Sequence, residues 1–373
     1  MKTRRIKTIF LFLLTMPFIG IYAQSIYYVS PHASSGGDGS PATPFHIIHE
    51  AVEKARKDKN CTTIYLREGE YILDTPLVLT SADGNDSKEL IIRNYPGEKA
   101  IISSGITLDL KWEKYKNGIM RAAVKGNPVM DMLIVNGDLR SMARYPDYDK
   151  TAVRFNGTSA LATAPERVKK WKNPEGGYLH AMHSHDWGDC HYRITGKNEK
   201  GELQLEGGWQ NNRPMGIHPE NRMVENIFEE LDAPGEWYYD KQEGWLYYYP
   251  LSDENINELV FETPQLKNLI EIAGTSSHPV KNITIEGIEL TQTIRTFMEH
   301  YEPLLRSDWT IYRGGAVIFR GTEKCTLRDC YIHHVGGNGV FFDKYNRYSA
   351  VTGSYLTSIG ASAICFVGDV AGV

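Results

Sequence analysis

The chain has 373 residues, and 46 acidic against 41 basic residues give it a formal charge of −5 at pH 7. Four of the basic residues lie in the first seven positions, so the rest of the chain is more acidic still. A chain of this charge is a poor candidate for binding nucleic acid or an anionic membrane surface. Five cysteines, an odd number, exclude a disulfide framework as the basis of the fold.

The N-terminus has the three parts of an export signal. Residues 1–7 are basic, residues 8–20 are mostly apolar, and Ala23 offers a small side chain for cleavage. The apolar run is too short for a membrane span and is interrupted by Pro17. We therefore expect residues 1–24 to be a signal peptide. The mature protein is then secreted or periplasmic, with no membrane insertion after removal of the signal.

Residues 25–125 indicate one helix followed by many short strands. Apolar residues at spacings of three and four, from Ile47 to Ala55, predict an amphipathic helix over 47–57. The predicted strands are Thr63–Leu66, Tyr71–Leu73, Leu77–Leu79, Leu90–Arg93 and Ala100–Ser103. No helical pattern separates them, which favours strands stacked in the order of the sequence.

Residues 126–262 lack this pattern and hold five of the seven tryptophans. Strand-like runs alternate with turns, which predicts an inserted β-sandwich-like domain. Within it, residues 237–249 predict a hairpin with its turn near 240–244 and with seven aromatic side chains. Large aromatic side chains usually serve burial, although an exposed subset is also suited to stacking on sugars. The sequence leaves both interpretations open.

Residues 263–373 contain an internal repeat. Val317, Val340 and Ile364 hold equivalent positions in copies that are 23 and 24 residues apart. Two further rows of equivalent positions are Ile285, Leu327 and Val351, and Leu290, Ile332 and Leu356. The last copy has only begun when the sequence stops, so we expect these repeats to be truncated at residue 373.

A period of this length is typical of a leucine-rich repeat or of a β-helix. Two or three strands per repeat, joined by Gly and Asn turns and without a helical segment, favour the second. We therefore predict an all-β fold, namely a right-handed parallel β-helix (a solenoid) with an inserted sandwich-like domain. The helix predicted at 47–57 would be its N-terminal cap.

Two carboxylates on this solenoid are candidates for catalysis. Asp343 and Arg320 occupy equivalent positions one turn apart, and Asp369 lies slightly further along the same edge on the next turn. Carboxylates held at a rigid edge suit general acid–base or nucleophilic work. A solvated Arg–Asp pair and turn-capping aspartates are the structural alternative. We expect Asp343 and Asp369 to be the catalytic pair.

Candidate substrate-binding residues form two groups. His183, His185, Asp186 and Trp187 lie in a polar stretch over 180–191, and His333 and His334 end a predicted strand. His183 and His185 share a strand face and could hold a metal, but their spacing matches no zinc motif. A polar loop with satisfied histidines is the alternative. We predict no metal and no cofactor, because nucleotide-binding fingerprints are also missing from the sequence.

Several segments resemble glycoside hydrolase family 141, a group of exported bacterial β-helix proteins. The resemblance rests on residues 27–31 with 44–45, 94–97 with 101–105, 136–146, 235–240, 244–250 and the repeats over 336–366. It covers nearly the whole mature chain. It implies hydrolysis of plant cell-wall glycans by acidic residues on the β-helix, with fucosidase and xylanase activities in the family.

We therefore expect an exported glycoside hydrolase that acts on hemicellulose or pectin side chains through acid/base carboxylates. Its partner would be a polysaccharide or oligosaccharide, with no nucleic acid, and the sequence makes no prediction of oligomeric state. A non-catalytic glycan-binding β-helix protein is one alternative. A polysaccharide lyase is another, and it would need a cation to neutralise the uronate of its substrate.

Overall fold

The computed structural model describes residues 24–211, 216–303 and 310–369, and these residues form mostly β-strands. The predicted all-β class is therefore confirmed. The predicted signal peptide lies outside the described residues, apart from Gln24, which begins the first strand. None of the described helices has the length and apolar character needed to cross a bilayer.

Three parallel sheets form the main body of the fold, and successive strands enter them in turn. The first contains Gln24–Val29, Cys61–Leu66, Leu90–Asn94, Ile283–Glu286, Thr326–Arg328 and Ala350–Thr352. The second contains Gly69–Ile72, Ala100–Ser103, Glu289–Thr293, Tyr331–Val335 and Tyr355–Leu356. The third contains Leu77–Leu79, Ile270–Ala273, Val317–Glu323, Val340–Arg347 and Ile364–Val367, with Val280–Lys281 beside Val317–Glu323. One passage through the three sheets is called a circuit below.

Equivalent residues of successive circuits lie side by side. Val317, Val340 and Ile364 pair directly in the third sheet, which confirms the predicted stacking. The other two predicted rows are also confirmed, Ile285 with Leu327 and Val351, and Leu290 with Ile332 and Leu356. Most of these side chains belong to one continuous apolar core. Each circuit contributes one strand to each sheet, which explains the repeat in the sequence. The right-handed β-helix stays a prediction.

The one long helix among the described residues, Ile48–Lys57, packs against the first two strands of the first sheet. Its apolar stripe is buried in the core that the three sheets share. Ile47, which the sequence assigns to this stripe, is instead 45% exposed, because it precedes the helix as an extended N-cap residue.

A buried lysine holds the C-terminal end of this helix. Lys88 is 5% exposed. It donates to the carbonyl oxygens of Ala55 at 2.7 Å and Ala82 at 3.1 Å. Burial lowers the pKa of Lys88. A cation at this position is favoured by the negative end of the helix dipole, and it is a second donor to the Ala55 carbonyl oxygen, which also accepts from the Asp58 N–H.

We expect Lys88→Met to lower the free energy of unfolding by about 2 kcal/mol, since hydrogen bonds from a charged donor contribute roughly 1.5–3 kcal/mol. Urea unfolding followed by tryptophan fluorescence measures the change. Lys125→Met is the matched control, because the Lys125 side chain is 71% exposed and pairs with the equally exposed Asp109. Equal effects of the two substitutions would contradict the buried role of Lys88.

The chain leaves the circuits between Ala100–Ser103 and Ile270–Ala273 for a long excursion, residues 104–269, which contains three antiparallel sheets. The linking sheet holds Gly105–Thr107, Leu133–Val135, Asp138–Arg140 and Phe261–Pro264. The hairpin sheet holds Glu113–Lys114, Met120–Ala123, Trp237–Asp240 and Trp245–Tyr248. The five-stranded sheet holds Arg144–Tyr145, Tyr178–His183, Asp189–Lys197, Leu203–Gly207 and Ile217–Glu225. Short helices at Ala160–Thr163, Pro165–Val168, Phe228–Glu230 and Ile256–Glu258 connect these strands.

The two ends of the long excursion meet. The backbone N–H of Gln265 donates to the carbonyl oxygen of Ser104 at 3.0 Å, and the N–H of Leu266 donates to the Ser104 hydroxyl at 3.1 Å. Antiparallel strands already occur at 105–107, before residue 126. The domain boundaries drawn from the sequence stay a prediction.

The next circuit has a short excursion at the same corner, residues 294–316, between Glu289–Thr293 and Val317–Glu323. It contains the paired strands Glu302–Pro303 and Thr310–Ile311. Because Ala100–Ser103 pairs with Glu289–Thr293, the two excursions begin on neighbouring strands.

Candidate functional site

A cleft of about 780 Å³ lies where the long and short excursions meet. Aromatic side chains make up much of its wall, namely Tyr115, Tyr178, Phe228, Tyr238, Tyr239, Tyr247 and Phe297. Carboxyl side chains also line it, namely Asp131, Glu175, Glu229, Asp240 and Glu299. A concave site with apolar walls and a few convergent polar groups is the usual form of a ligand-binding site.

Arg295 of the short excursion joins it to the long one. Its Nε and Nη2 atoms donate to Asp131 Oδ1 at 3.0 and 2.8 Å, and its backbone N–H donates to Asp131 Oδ2 at 2.8 Å. Its Nη1 atom donates to Glu225 of the five-stranded sheet. One guanidinium group therefore holds two carboxylates that lie far apart in the sequence. A planar fork of donors is suited to this role, and a lysine could not reproduce it.

Aromatic rings enclose this ion-pair cluster. The Arg295 guanidinium lies 4.8 Å from the Phe297 ring centroid and 5.4 Å from that of Tyr178. Phe297 in turn packs edge-on against Tyr178 at 5.1 Å. Two side chains of the long excursion donate hydrogen bonds to backbone carbonyl oxygens of the short one. Gln210 donates to the carbonyl oxygen of Phe297 at 2.7 Å, and Trp209 donates to the carbonyl oxygen of Glu299 at 2.9 Å. The cleft wall is thus cross-linked by polar contacts between the two excursions.

Two histidines extend the cluster into the five-stranded sheet. His180 Nε2 lies 3.1 Å from Glu225 Oε1, and His180 Nδ1 lies 2.8 Å from His191 Nδ1. His191 Nε2 lies 3.4 Å from Asp189 Oδ2. The two rings are on adjacent antiparallel strands, where His180 and His191 are direct cross-strand partners.

The environment shifts the pKa values of this cluster in definite directions. Burial lowers the pKa of His180. Burial by itself raises the pKa of Glu225, but Arg295 and His180 outweigh it and hold the pKa well below its usual range. Burial likewise opposes ionisation of Asp189, but its hydrogen bond with His191 leaves the pKa below the ordinary value. Both carboxyl groups are therefore ionised at neutral pH.

The predicted aromatic hairpin forms, with Trp237 opposite Tyr248 and Asp240 opposite Trp245. The burial interpretation is confirmed for one face of the hairpin, and stacking on sugars stays a prediction. The cross-strand partners Trp237 and Tyr248 are fully buried in an apolar cluster, whereas the next pair, Tyr238 and Tyr247, lines the cleft. Alternation along a strand sends neighbouring side chains to opposite faces, which explains the division.

Asp343 lies on the third parallel sheet, opposite Arg320 as the repeat predicts. Its side chain is 2% exposed. Its Oδ1 accepts from Arg313 Nη1 at 2.6 Å and its Oδ2 accepts from Arg320 Nε at 2.7 Å. Arg313 belongs to the short excursion and also donates to the carbonyl oxygen of Gly368 at 3.0 Å, next to Asp369. Asp343 pairs with Val367 across the third sheet, and Asp369 follows two residues after that partner.

His183, His185, Asp186 and Trp187 lie at the turn between the strands Tyr178–His183 and Asp189–Lys197. The His183 ring is fully buried and nearly parallel to that of Trp187, with their centroids 5.7 Å apart. Trp187 is 49% exposed. Asp186 forms an ion pair with Arg154 at 3.2 Å. The side chains are thus together in space, but at the opposite end of their strand from Tyr178 and the cleft.

His333 and His334 end the strand Tyr331–Val335 of the second parallel sheet. Their Nδ1 atoms are 2.9 Å apart, and His333 Nε2 lies 2.9 Å from Glu289 Oε1. Burial lowers the pKa of His334. Among the described residues, no group of three or more His, Cys, Asp and Glu side chains is arranged to hold a metal ion.

The predicted site residues thus fall on three different sheets, and their roles stay predictions. The sequence missed Arg295, Glu225 and Asp131, which are up to 164 residues apart. It did single out the stretch 180–191. Within that stretch, however, His180 and His191 are the residues that reach the cluster beside the cleft. Cross-strand pairing across a short hairpin was the one signal that could have found them.

Comparison with known proteins supports the fold. A solved structure described as a glycoside hydrolase superimposes with a TM-score of 0.72 and 20% sequence identity, over 88% of this chain and 65% of that one. This chain thus has the fold of a glycoside hydrolase structure and spans about two thirds of its length. The structure of XylC in complex with xylose gives a TM-score of 0.43 at 14% identity, over 85% of this chain and 41% of that one, which is too low to define a common fold.

Sequence comparison covers a smaller part of the chain than the structural comparison does. No protein-family model matches the chain. The uncharacterized protein YwoF of Bacillus subtilis (strain 168) is 34% identical over 88 residues, which make up 23% of this chain and 17% of that protein.

Proposed function

We propose that this chain is an exported carbohydrate-active protein that hydrolyses glycosidic bonds in plant cell-wall polysaccharide, in hemicellulose or in the side chains of pectin. The observation that supports a saccharide ligand is the cleft between the two excursions, where aromatic rings and carboxylates line one concave surface; Asp343 and Asp369 are not among its lining residues. Sugar rings stack on aromatic faces through their C–H groups, and carboxylates accept hydrogen bonds from their hydroxyl groups.

The proposal includes a right-handed parallel β-helix as the scaffold and membership of glycoside hydrolase family 141. The ordered succession of strands through three parallel sheets supports the scaffold. The glycoside hydrolase structure of the same fold supports the class of protein. The motifs named in the sequence support the family.

In this proposal Asp343 and Asp369 are the catalytic carboxylates. Hydrolysis by two carboxyl groups needs one that is ionised and one that donates a proton. Asp343, whose oxygens accept from Arg313 and Arg320, is proposed as the nucleophile or base. Asp369, on the same edge, would then be the acid. The turn over 183–187 and the pair His333–His334 are proposed to contact the saccharide beyond the reacting bond.

A second candidate function is glycan binding without hydrolysis. The observation that favours it is the burial of Asp343, because a carboxylate that is 2% exposed and holds two arginines is also a good structural element. The two functions differ in one measurable result. Binding with release of reducing sugar supports hydrolysis, whereas binding without release supports the second function, and unsaturated products would identify a lyase.

The first experiment measures affinity and reducing-sugar release on one panel of hemicelluloses and pectins. For the best substrate, we expect Asp343→Asn to reduce the rate of release by roughly 10²–10⁴-fold, the usual contribution of an acid–base group. Asp253→Asn is the control, because Asp253 is an exposed aspartate on a loop of the long excursion. Release that survives Asp343→Asn within threefold would remove Asp343 from the mechanism, provided that circular dichroism shows both variants to be folded.

A further inference from the structure

Glu236 lies at the junction of two sheets that form the cleft, the hairpin sheet and the five-stranded sheet. The next residue, Trp237, pairs with the segment that leads into the five-stranded sheet. Its N–H donates to the carbonyl oxygen of Ser141 at 3.1 Å, and the N–H of Ala143 donates to its carbonyl oxygen at 2.7 Å. Trp237 also begins the hairpin strand that carries Tyr238 into the cleft wall. A change of charge at Glu236 therefore acts on the base of both sheets.

The surroundings of the Glu236 carboxyl group are poorly suited to an anion. Glu236 is 2% exposed. Its Oε1 atom is buried and has no hydrogen-bond partner among the described residues. Its Oε2 atom accepts two long hydrogen bonds, from the N–H groups of Ala233 at 3.3 Å and Asp232 at 3.4 Å. An ionised group buried in this way is far more costly than a neutral one.

The charged groups that face Glu236 are two carboxylates and one guanidinium. The carboxylates are Asp147 and Asp232, and both oppose its ionisation. The guanidinium is that of Arg144, which attracts the anion but donates to backbone carbonyl oxygens, that of Pro146 at 2.8 Å among them. No ion pair joins Arg144 to Glu236 within the described part of the chain. Burial, with Asp147 and Asp232, raises the pKa of Glu236 from 4.5 to about 8.

We propose that Glu236 is a proton-dependent switch: it carries a hydrogen in the folded protein at neutral pH, and loss of that hydrogen in mildly alkaline solution weakens the junction between the two sheets of the cleft. The hydrogen lies on Oε1, because Oε2 faces two N–H groups. The inference concerns the protein itself and does not rest on the proposed glycan activity.

The proton on Glu236 stabilises the fold at low pH. The pKa is about 8 in the folded protein against an ordinary value of 4.5, so the folded state holds one proton more than the unfolded state between these two values. The stabilisation is fully present below about pH 4.5 and is lost as the pH rises to about 8. Glu225, whose pKa is lowered, acts in the opposite direction, because its contribution is lost as the pH falls. Together the two carboxyl groups favour stability in mildly acidic solution.

The test compares the full-length wild type with Glu236→Gln, which has the shape of the protonated acid and cannot ionise. Urea unfolding at a series of values between about pH 5 and 8 gives the unfolding equilibrium constant of each protein. We expect the ratio of the wild-type constant to that of the variant to rise by up to about tenfold per pH unit, the effect of one proton. A ratio that stays within about twofold over this range would overturn the proposal.

Glu243→Gln is the matched control, because Glu243 is an exposed glutamate in the turn of the same hairpin. Its unfolding constant should follow that of the wild type at every pH. An equal pH dependence of the ratio in the two variants would mean that the effect does not come from the buried carboxyl group.

The fluorescence of Trp237 tests the switch in the folded protein. Its ring is fully buried and directly follows Glu236 in the chain. We expect a change in tryptophan fluorescence centred near pH 8 that Glu236→Gln removes. A signal that stays flat between about pH 7 and 9 would overturn the proposal.

Asp147→Asn provides an arm that does not depend on the folding of Glu236→Gln. Asp147 is exposed, and its charge opposes ionisation of Glu236. We therefore expect the fluorescence change to move to lower pH in this variant, since the neutral asparagine no longer repels the anion. A change centred at the same pH as in the wild type would contradict the arrangement.

Discussion

Arg295→Met is expected to lower the free energy of unfolding by about 3–5 kcal/mol, the usual cost of removing one partner from a buried ion pair. The substitution leaves Asp131 and Glu225 without their shared cation, and Glu225 is almost fully buried. Urea unfolding followed by the fluorescence of the excursion tryptophans measures the change. A loss below about 1 kcal/mol would mean that the ion pairs contribute no more than an exposed pair does.

Arg193→Met is the matched control, because Arg193 is an exposed arginine that lines the same cleft. Its removal should change the free energy of unfolding by no more than about 0.5 kcal/mol, as is usual for surface positions. The loss of unfolding free energy in Arg295→Lys should lie between those of Arg295→Met and Arg193→Met, since a lysine keeps the charge and loses the fork of donors.

The same ion pairs predict a pH dependence. Arg295 and His180, against the opposing effect of burial, hold the pKa of Glu225 well below its ordinary value of 4.5. A carboxyl group of lowered pKa stabilises the fold above its unfolded pKa, and this stabilisation is lost as the pH falls. The wild type should therefore lose stability below about pH 4.5. In Arg295→Met the loss of stability on acidification should be smaller, because Arg295 no longer stabilises the Glu225 carboxylate in the folded state.

Phe342→Ala is expected to cost about 3–5 kcal/mol, the typical effect of truncating a buried phenylalanine. The Phe342 ring is 2% exposed. It is stacked between Phe319 at 4.6 Å and Phe366 at 4.3 Å, one from each neighbouring circuit. Its removal leaves a cavity that rigid neighbouring strands cannot close. Thermal unfolding by circular dichroism measures the effect.

Phe366→Ala is the control, since Phe366 is 70% exposed and occupies the same row in the next circuit. We expect a cost below about 1 kcal/mol for a mostly exposed side chain. If both substitutions cost the same, the stacked row does not contribute through burial, and the account of the core given above is wrong.

The sequence predicts the parallel sheets well because their evidence is repetitive. Val317, Val340 and Ile364 must pack on one another, so each circuit restates the same apolar pattern. The helix at 48–57 was also predictable, because its four buried residues follow the helical period. Ile47 was misassigned because a periodic pattern does not indicate where a helix begins.

The cleft was much less predictable, because its residues come from separate segments with no shared period. Arg295 meets Asp131 and Glu225 only after the 166 residues of the long excursion, 104–269, return to the circuits. Arginine is common on surfaces, so nothing local marks this one as buried and paired. His180 and His191 belong to a stretch that the sequence does mark as unusual. Choosing between them and His183 required the register of the hairpin.

The two ends of the long excursion meet at Ser104 and Gln265, so the segment between them is closed at its base. The whole segment can be exchanged for another without moving the flanking strands, since closing a longer loop adds little entropic cost. Elsewhere the same corner is crossed in four residues, 336–339, between Tyr331–Val335 and Val340–Arg347. A short turn of this kind in place of residues 105–264 would give a protein that keeps the stacked sheets and lacks the cleft. The cleft can therefore be replaced by exchange of one excursion, while the strands that carry stability keep their sequence.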